Sequence, residues 1–271
     1  MCLNFSVWVT TACNLRCTYC YEGEEKKKEN LSKEQAFKIV EYIKKKAKNI
    51  EKTRREKIKK ISIELHGGEP LVNFQGIKDF VNIAKTVLEE YEISYQMTTN
   101  GTILNDEILF FLKENISHLT ISIDGDETTQ NLCRKDATGR GTYDVVKENS
   151  IKLLQIFGDS LRIRMTFTSK TVADLSHNIF HIADLGFKII IALPDIFDEG
   201  WNDEKVNVLD LEIKKIKQRE LNNNIYINLE RPLVLQKKGA CSGGCDGENI
   251  LPNGDIYCCT SLPGYETEIL D

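Results

Sequence analysis

Phe5-Ser6-Val7-Trp8-Val9-Thr10-Thr11 passes through Ala12 into Cys13-Asn14-Leu15-Arg16-Cys17-Thr18-Tyr19-Cys20. The first seven residues are largely apolar and have strand character. The loop that follows carries three cysteines spaced CxxxCxxC. Thiolates are soft ligands, which select zinc, copper or iron–sulfur over magnesium or calcium. Three thiolates with no fourth cysteine beside them leave a metal site incomplete. A four-iron, four-sulfur cluster held by three cysteines exposes one iron to an outside ligand. That is the layout of a cofactor-binding cluster rather than a purely electron-carrying one. A zinc loop completed by His66 or a distant cysteine is the other reading of the same residues.

Outward from this stretch, strands alternate with helices. Ser32 is placed to cap a helix and Gln35 to complete a capping box, with Ala36, Ile39, Val40 and Ile43 following at helical spacing. Residues Lys44 to Lys60 are very basic, which reads as a solvated helix end or as a docking surface for an acidic partner. A strand over Ile61–Leu65 runs into His66-Gly67-Gly68-Glu69-Pro70, followed by a helix from Asn73 to Tyr91 and a strand over Ser94–Thr98. Beyond the turn Thr99-Asn100-Gly101-Thr102 come a helix from Asn105 to Glu114 and a strand His118–Ile123 ending in Asp124-Gly125. After a polar loop the pattern predicts a helix Tyr143–Phe157, a strand Leu161–Thr168, a helix Thr171–Leu185 and a strand Phe187–Leu193. Such βαβ alternation implies parallel strands. It fits an α/β chain built as a partial (β/α)6 TIM-like barrel, its site at the C-terminal strand ends. A doubly wound sheet has the same linear pattern.

Past Pro194 the pattern changes. Asp195 to Asn202 is an acidic loop, and Lys205 to Leu221 a charged helix with Val208, Leu209, Leu211 and Ile216 inward. Asn222-Asn223-Asn224 ends it, and Ile225–Leu229 has the makings of a short strand. From Lys237 there is little helical pattern, and Cys241, Cys245, Cys258 and Cys259 cluster. This divides the chain into a core over 1–200, a linking helix and strand over 201–236, and a small cysteine-rich C-terminal extension over 237–271.

The 271 residues suffice for one large domain and a small appendage. With 28% charged and 41% hydrophobic residues the composition is that of a globular protein. A net charge of −5 argues against a generic nucleic-acid binder. No apolar run is long enough for a membrane helix, and Met1-Cys2-Leu3-Asn4 lacks signal-peptide features. A cytoplasmic location is therefore expected. Nine cysteines, mostly in two tight groups, favour metal ligation over a disulfide framework. Cys2 and Cys133 stand alone and read as structural.

The combination resembles the radical S-adenosylmethionine (radical SAM) superfamily, whose CxxxCxΦC loop follows the first barrel strand. Tyr19 stands at the aromatic position. Gly67-Gly68-Glu69-Pro70 matches that superfamily's GGEP motif, where backbone and glutamate meet the SAM amino group. Thr98-Thr99-Asn100-Gly101-Thr102-Ile103-Leu104 resembles the TNGTLL segment of its peptide- and protein-modifying branch. Ser122-Ile123-Asp124-Gly125, with Arg134 and Gly139-Arg140-Gly141-Thr142-Tyr143, resembles that branch's SLDG…R…G…F region. The resemblance implies a [4Fe-4S] cluster on Cys13, Cys17 and Cys20, with SAM on its fourth iron. It implies cofactor contacts from Tyr19, Gly67, Gly68, Glu69, Ser122, Asp124 and Arg134, with Arg164 competing for the SAM carboxylate and Asp124 the candidate nearest catalysis. The tail resembles the start of a SPASM or twitch extension, implying an auxiliary iron–sulfur cluster on Cys241, Cys245, Cys258 and Cys259. A structural zinc site is the rival there, and a full SPASM region continues further with more cysteines.

The function so implied is a peptide maturase. SAM cleavage yields a 5′-deoxyadenosyl radical that abstracts hydrogen from a peptide or protein, installing a crosslink or an oxidation. Its partners are the precursor peptide and a one-electron donor such as flavodoxin or ferredoxin, with no nucleic acid and no membrane. The alternative is a small-molecule radical SAM dehydrogenase with a twitch-like tail.

Overall fold

The structure, a computed structural model, describes residues 1–23, 28–219, 225–230 and 247–258. Its elements run β1 (Cys2–Thr10), β2 (Leu15–Cys17), α1 (Lys33–Arg54), β3 (Lys60–Gly67), α2 (Phe74–Val87), β4 (Glu92–Thr99), α3 (Asp106–Asn115) and β5 (Ile116–Ser122). Then come α4 (Glu127–Cys133), β6 (Arg134–Asp136), α5 (Tyr143–Phe157), β7 (Arg162–Phe167), α6 (Leu175–Asp184), β8 (Ile189–Pro194), α7 (Asp203–Gln218), β9 (Tyr226–Ile227), β10 (Gly247–Ile250) and β11 (Ile256–Tyr257).

The main sheet has the order β11-β10-β1-β3-β4-β5-β7-β8-β9. From β1 to β8 its neighbours are parallel and follow chain order without reversal. A doubly wound sheet reverses its winding at a switch point. Steady winding with right-handed crossovers instead puts the helices on one face and curls the sheet around the other. The partial-barrel reading therefore stands. The described tail residues 247–258 add to this sheet: β10 pairs in parallel with β1, and β11 with β10 in antiparallel.

Alternation along the strands sorts the two faces. Val7, Val9, Ile61, Ile63, Leu65, Met97, Leu119, Ile121, Ile163, Met165, Ile190 and Ala192 are buried in the hydrophobic core. The intervening residues Ser62, Glu64, His66, Gln96, Thr98, Thr120, Arg162 and Arg164 give the concave face its polar character. Ala36, Ile39, Val40 and Ile43 of α1 are buried, as their spacing predicts. Ser32 caps α1 by accepting from Gln35 N at 3.1 Å. The Gln35 side chain does not close the capping box; it donates to Asn253 O at 2.9 Å, tying the helix to the tail.

Two sequence expectations need correction. The polar loop after Gly125 contains α4, capped by Asp126, and then β6, which pairs with β2 in a separate antiparallel ribbon. On α7, Ile216 is inward, but Leu211 is 55% exposed and Glu212 is buried instead. Glu212 accepts from Ser176 N (2.9 Å) and Ser176 Oγ (2.6 Å), and pairs with Lys215.

Burial pushes the Glu212 carboxyl up, but Lys215 and Ser176 outweigh it and hold it below the ordinary carboxylate range. A depressed folded value means that the stabilisation is present above the unfolded value of about 4.3 and is lost as pH falls through the folded one. Glu212→Gln is therefore expected to lower the melting temperature at pH 7 by a few degrees and to narrow the difference from the parent near pH 3, as followed by circular dichroism.

Among the described residues no helix is long and apolar enough to cross a membrane.

Candidate active site at the cysteine loop

The cysteine loop leaves the C-terminal end of β1 and is held by the end of β3. Gly68 N donates to Thr10 O at 3.1 Å and Glu69 N to Ala12 O at 2.9 Å. These contacts need glycine. Gly67 has φ of +150° with Thr10 O where a Cβ would stand, and a Cβ on Gly68 would lie 2.7 Å from Ala12 O. Gly68→Ala is expected to push the loop off β3, cutting iron loading several-fold and costing about 1–3 kcal/mol of stability. Iron analysis and urea unfolding check both.

A second clamp comes from far along the chain. In the β2–β6 ribbon Cys17 stands opposite Arg134, and Thr18 N donates to Cys133 O at 3.0 Å. Asn14 makes the third. Its Nδ2 donates to Thr102 Oγ1 (2.8 Å) and its Oδ1 accepts from Asn100 Nδ2 (2.8 Å). Thr102 N and Oγ1 in turn both donate to Asn100 Oδ1. The Thr99–Thr102 turn thus braces the loop directly. Sequence reasoning passed over Asn14, since its partners lie 86 and 88 residues away and leave no local pattern.

Next to the loop lies a buried charge pair. Arg134 Nε donates to Asp124 Oδ2 at 3.0 Å, and its guanidinium lies over the Tyr19 ring, 5.4 Å from the centroid. The Tyr19 hydroxyl donates to the same Asp124 oxygen, while Thr166 N donates to Oδ1 at 2.9 Å. Burial, with the Asp124 and Cys17 charges adding and Arg134 opposing, pushes the Tyr19 hydroxyl well above its ordinary value. It stays protonated and keeps donating.

Glu69 is similarly committed. It is buried at the end of β3 and accepts from Leu71 N (3.1 Å), Thr99 Oγ1 (2.8 Å) and Asn100 N (2.6 Å). Burial raises its carboxyl above the ordinary value against those hydrogen bonds. Its carboxylate ties β3 to the turn after β4. Ser122 is buried at the end of β5. Cys133 is buried, its thiol pushed up to about 11 by burial and the Asp124 charge, as suits a structural cysteine.

Cys13, Cys17, Cys20, Tyr19, Gly67, Gly68, Glu69, Ser122, Asp124 and Arg134 therefore gather where β1, β3 and β5 end, the rim at which such barrels carry their sites. Arg164 stands opposite Ser122 on the neighbouring strand β7 and is exposed. Cys258 directly follows edge strand β11 and is partly exposed. Cys241, Cys245 and Cys259 lie outside the described residues. Among the described residues no group of three or more His, Cys, Asp and Glu side chains is gathered as for a single metal ion.

The radical SAM superfamily profile matches residues 8–177, which span β1 through the start of α6. The chain resembles MJ0907 of Methanocaldococcus jannaschii, with 25% identity over 94% of this chain and 84% of that protein. It also resembles the cysteine-type anaerobic sulfatase-maturating enzyme of Clostridium novyi, with 32% identity over 68% of this chain and 49% of that enzyme. The chain thus spans about half of that enzyme's length. Among solved structures, anSMEcpe with bound AdoMet superposes with a TM-score of 0.77 at 20% identity, covering 97% of this chain and 75% of that one. With bound AdoMet and the Kp18Cys peptide, anSMEcpe gives 0.74, again at 20% identity, over 96% of this chain and 75% of that one. The chain belongs to the radical SAM superfamily. Membership makes it an enzyme class that binds SAM and uses an iron–sulfur cofactor.

Proposed function

We propose that the chain is a peptide or protein maturase in which Cys13, Cys17 and Cys20 hold a [4Fe-4S] cluster. The observation that carries this reading is the triply braced cysteine loop. Its thiols come from one segment, partly exposed, at the rim where the glycine pair and the buried Asp124–Arg134 pair converge. The donor set fits the group, since three soft thiolates bind three irons and leave the fourth open. Held by Cys13, Cys17 and Cys20, such a cluster would supply the electron for reductive cleavage of SAM.

The remaining work falls to the chain. Gly67 and Gly68 let the end of β3 lie directly against the cysteine loop, with Thr10 O and Ala12 O filling the space a side chain would need, and so fix where the thiols stand. Glu69 holds that backbone in place through its ties to Leu71, Thr99 and Asn100. Arg134 keeps nitrogens beyond the one given to Asp124, and with Ser122 these suit the SAM carboxylate. Asp124, engaged by Arg134, Tyr19 and Thr166, orients its neighbours rather than reacting. The 1–200 core, the linking segment and the tail divide this work, and Cys241, Cys245, Cys258 and Cys259 of the tail would hold an auxiliary iron–sulfur cluster, which would supply a second one-electron site. A peptide or protein substrate is supported by the sulfatase-maturating relative and by the peptide bound to anSMEcpe. A flavodoxin- or ferredoxin-like donor would serve a cytoplasmic enzyme of this kind.

The test is anaerobic reconstitution with iron and sulfide, then electron paramagnetic resonance of the reduced protein with and without SAM. A spectrum that shifts on adding SAM, together with 5′-deoxyadenosine release, supports the reading. A SAM-indifferent spectrum, or bound zinc without iron, overturns it.

A further inference from the structure

The ribbon that braces the cysteine loop has a second face. In β2 Leu15 is buried, and Cys17 stands opposite Arg134, itself buried against Asp124. Alternation turns the pair between them, Arg16 and Lys135, to the other side. Their side chains leave that face from directly opposite positions, with Cβ atoms about 5 Å apart. Arg140 is largely exposed and belongs to the same hairpin, in which Lys135 bridges to Gly141.

Like charges placed directly opposite in a ribbon repel one another. Nothing among the described residues neutralises this pair. Arg16 gives one nitrogen, Nη1, to the carbonyls of Cys13 (2.9 Å) and Leu15 (2.7 Å), which holds it against the loop with its charge intact. Lys135 makes no hydrogen bond or ion pair through its side chain among the described residues. The ribbon's own carboxylate, Asp136, is taken up by Thr138 and by Arg140, whose Nε lies 3.6 Å from it. This positive patch sits on a chain of net charge −5. An acidic macromolecule is repelled by the molecule as a whole and steered to such a spot.

Position separates the patch from the basic surface of α1. Arg16 is next in sequence to Cys17, and its guanidinium rests on the carbonyl of Cys13. Electron transfer weakens steeply with distance, so a carrier seated here delivers close to the thiols. The basic C-terminal end of α1 lies at the far end of β1, where Arg54 meets Met1 Sδ and the Met1 amino group meets Glu56. The nine residues of β1 lie between, about 25–30 Å. The patch also faces away from the side on which Cys17, Arg134 and Asp124 gather, so a substrate against that side leaves it open.

We propose that the outer face of the β2–β6 ribbon, with Arg16, Lys135 and Arg140, is the docking surface for an acidic one-electron carrier protein, a reduced flavodoxin or ferredoxin. The carrier gives up one electron and the cluster on Cys13, Cys17 and Cys20 gains it; no bond and no proton changes hands. This deepens the maturase reading, on which it rests for the cluster, by saying where the electron enters.

The test uses a bacterial flavodoxin and Lys135→Glu. That change turns a like-charged cross-strand pair into an opposite one, so it favours the ribbon's fold. Binding of oxidised flavodoxin is measured by titration calorimetry at about 20 and about 200 mM salt, where screening differs strongly. The parent's affinity is expected to fall about tenfold across that range. At low salt Lys135→Glu is expected to weaken binding about tenfold and Arg140→Glu several-fold. Lys52→Glu on α1, the same charge change at the far end of β1, is expected to leave it unchanged. Release of 5′-deoxyadenosine by the reconstituted chain is then driven by reduced flavodoxin or by dithionite. Lys135→Glu is expected to slow the first about tenfold and to leave the second at the parental rate. No binding by the parent, binding that ignores salt, or equal binding by parent and Lys135→Glu overturns the docking face and leaves the patch to another acidic occupant, such as the substrate or a second copy of the chain. Equal loss with both reductants overturns it too, because the change then acts on the loop rather than on the carrier. If the parent releases no 5′-deoxyadenosine with dithionite, the maturase reading fails, while the binding measurements still decide the surface by themselves.

Discussion

Cys17→Ala is expected to remove SAM cleavage altogether, with 5′-deoxyadenosine falling below detection and iron content dropping by at least half. The effect should exceed that of any other single change, because Cys17 carries two burdens. On the proposed assignment it is one of three thiolates in a set with no spare, and it stands opposite Arg134 in the β2–β6 ribbon. Alanine preserves the ribbon's backbone pairing, so the fold is expected to survive with an unchanged circular dichroism spectrum. What disappears is a soft ligand for which no nearby side chain of the loop substitutes. Cys133 serves as the internal comparison. It is buried two residues from β6's midpoint, with a thiol held protonated, and Cys133→Ala should leave iron content near the parent value while costing some stability. If Cys17→Ala retains SAM cleavage, the assignment of the loop is wrong.

The second large effect is thermodynamic. The Asp124 side chain is 0% and Arg134 8% exposed, so each charge has given up its water. Removing one partner of a buried pair strands the other, at a cost of about 3–5 kcal/mol. Arg134→Met is expected to fall in that range, since among the described residues it leaves the Asp124 carboxylate with Tyr19 and Thr166 as donors to its side-chain oxygens and no counter-charge. Asp124→Asn should cost a comparable amount, because the amide oxygen still accepts but the buried Arg134 guanidinium keeps its charge with no carboxylate opposite. The double replacement Asp124→Asn with Arg134→Met should recover a large part of the loss, as happens when a buried pair is exchanged for neutral groups. Urea unfolding of the four proteins under anaerobic conditions closes the cycle. Strict additivity of the two single changes would show that the pair is not coupled and that the geometry has been misread.

Much of this molecule was legible in its residues, and the legible part has a physical logic. The strands and most helices announced themselves through period-two and helical spacing, because one face of each must be apolar. Tyr143–Phe157 agrees with the helix to the residue. Gly67 and Gly68 were readable because a close backbone approach excludes every other residue type. The residues that escaped notice are those whose role is a long-range contact. Asn14 looks like any loop asparagine until Asn100 and Thr102 are brought beside it. Arg134 and Asp124 were both read toward a ligand. Neither sequence position reveals that each is first committed to the other. The α4 segment Glu127-Thr128-Thr129-Gln130-Asn131-Leu132-Cys133 is polar enough to pass for a loop, and its helix rests on the Asp126 cap and on buried Gln130, which accepts from Asp124 N at 2.8 Å. On α7, periodicity alone favoured Leu211 over Glu212, since nothing local reports that Ser176 waits opposite.

The β2–β6 ribbon bears on how the molecule is made. Its two halves can join only after the intervening β3, β4 and β5 have been synthesised. Pairing at such separation comes late, because the loop closure must be met before the contact rewards it. As the chain emerges from the ribosome, the cysteines of the loop therefore wait with one of their three clamps missing until residue 134 arrives. A fragment ending before α4 would keep all three thiols yet lack the strand that shapes their loop. Cofactor delivery is then expected to act on a nearly complete core, and oxygen damage to fall most heavily on the nascent chain.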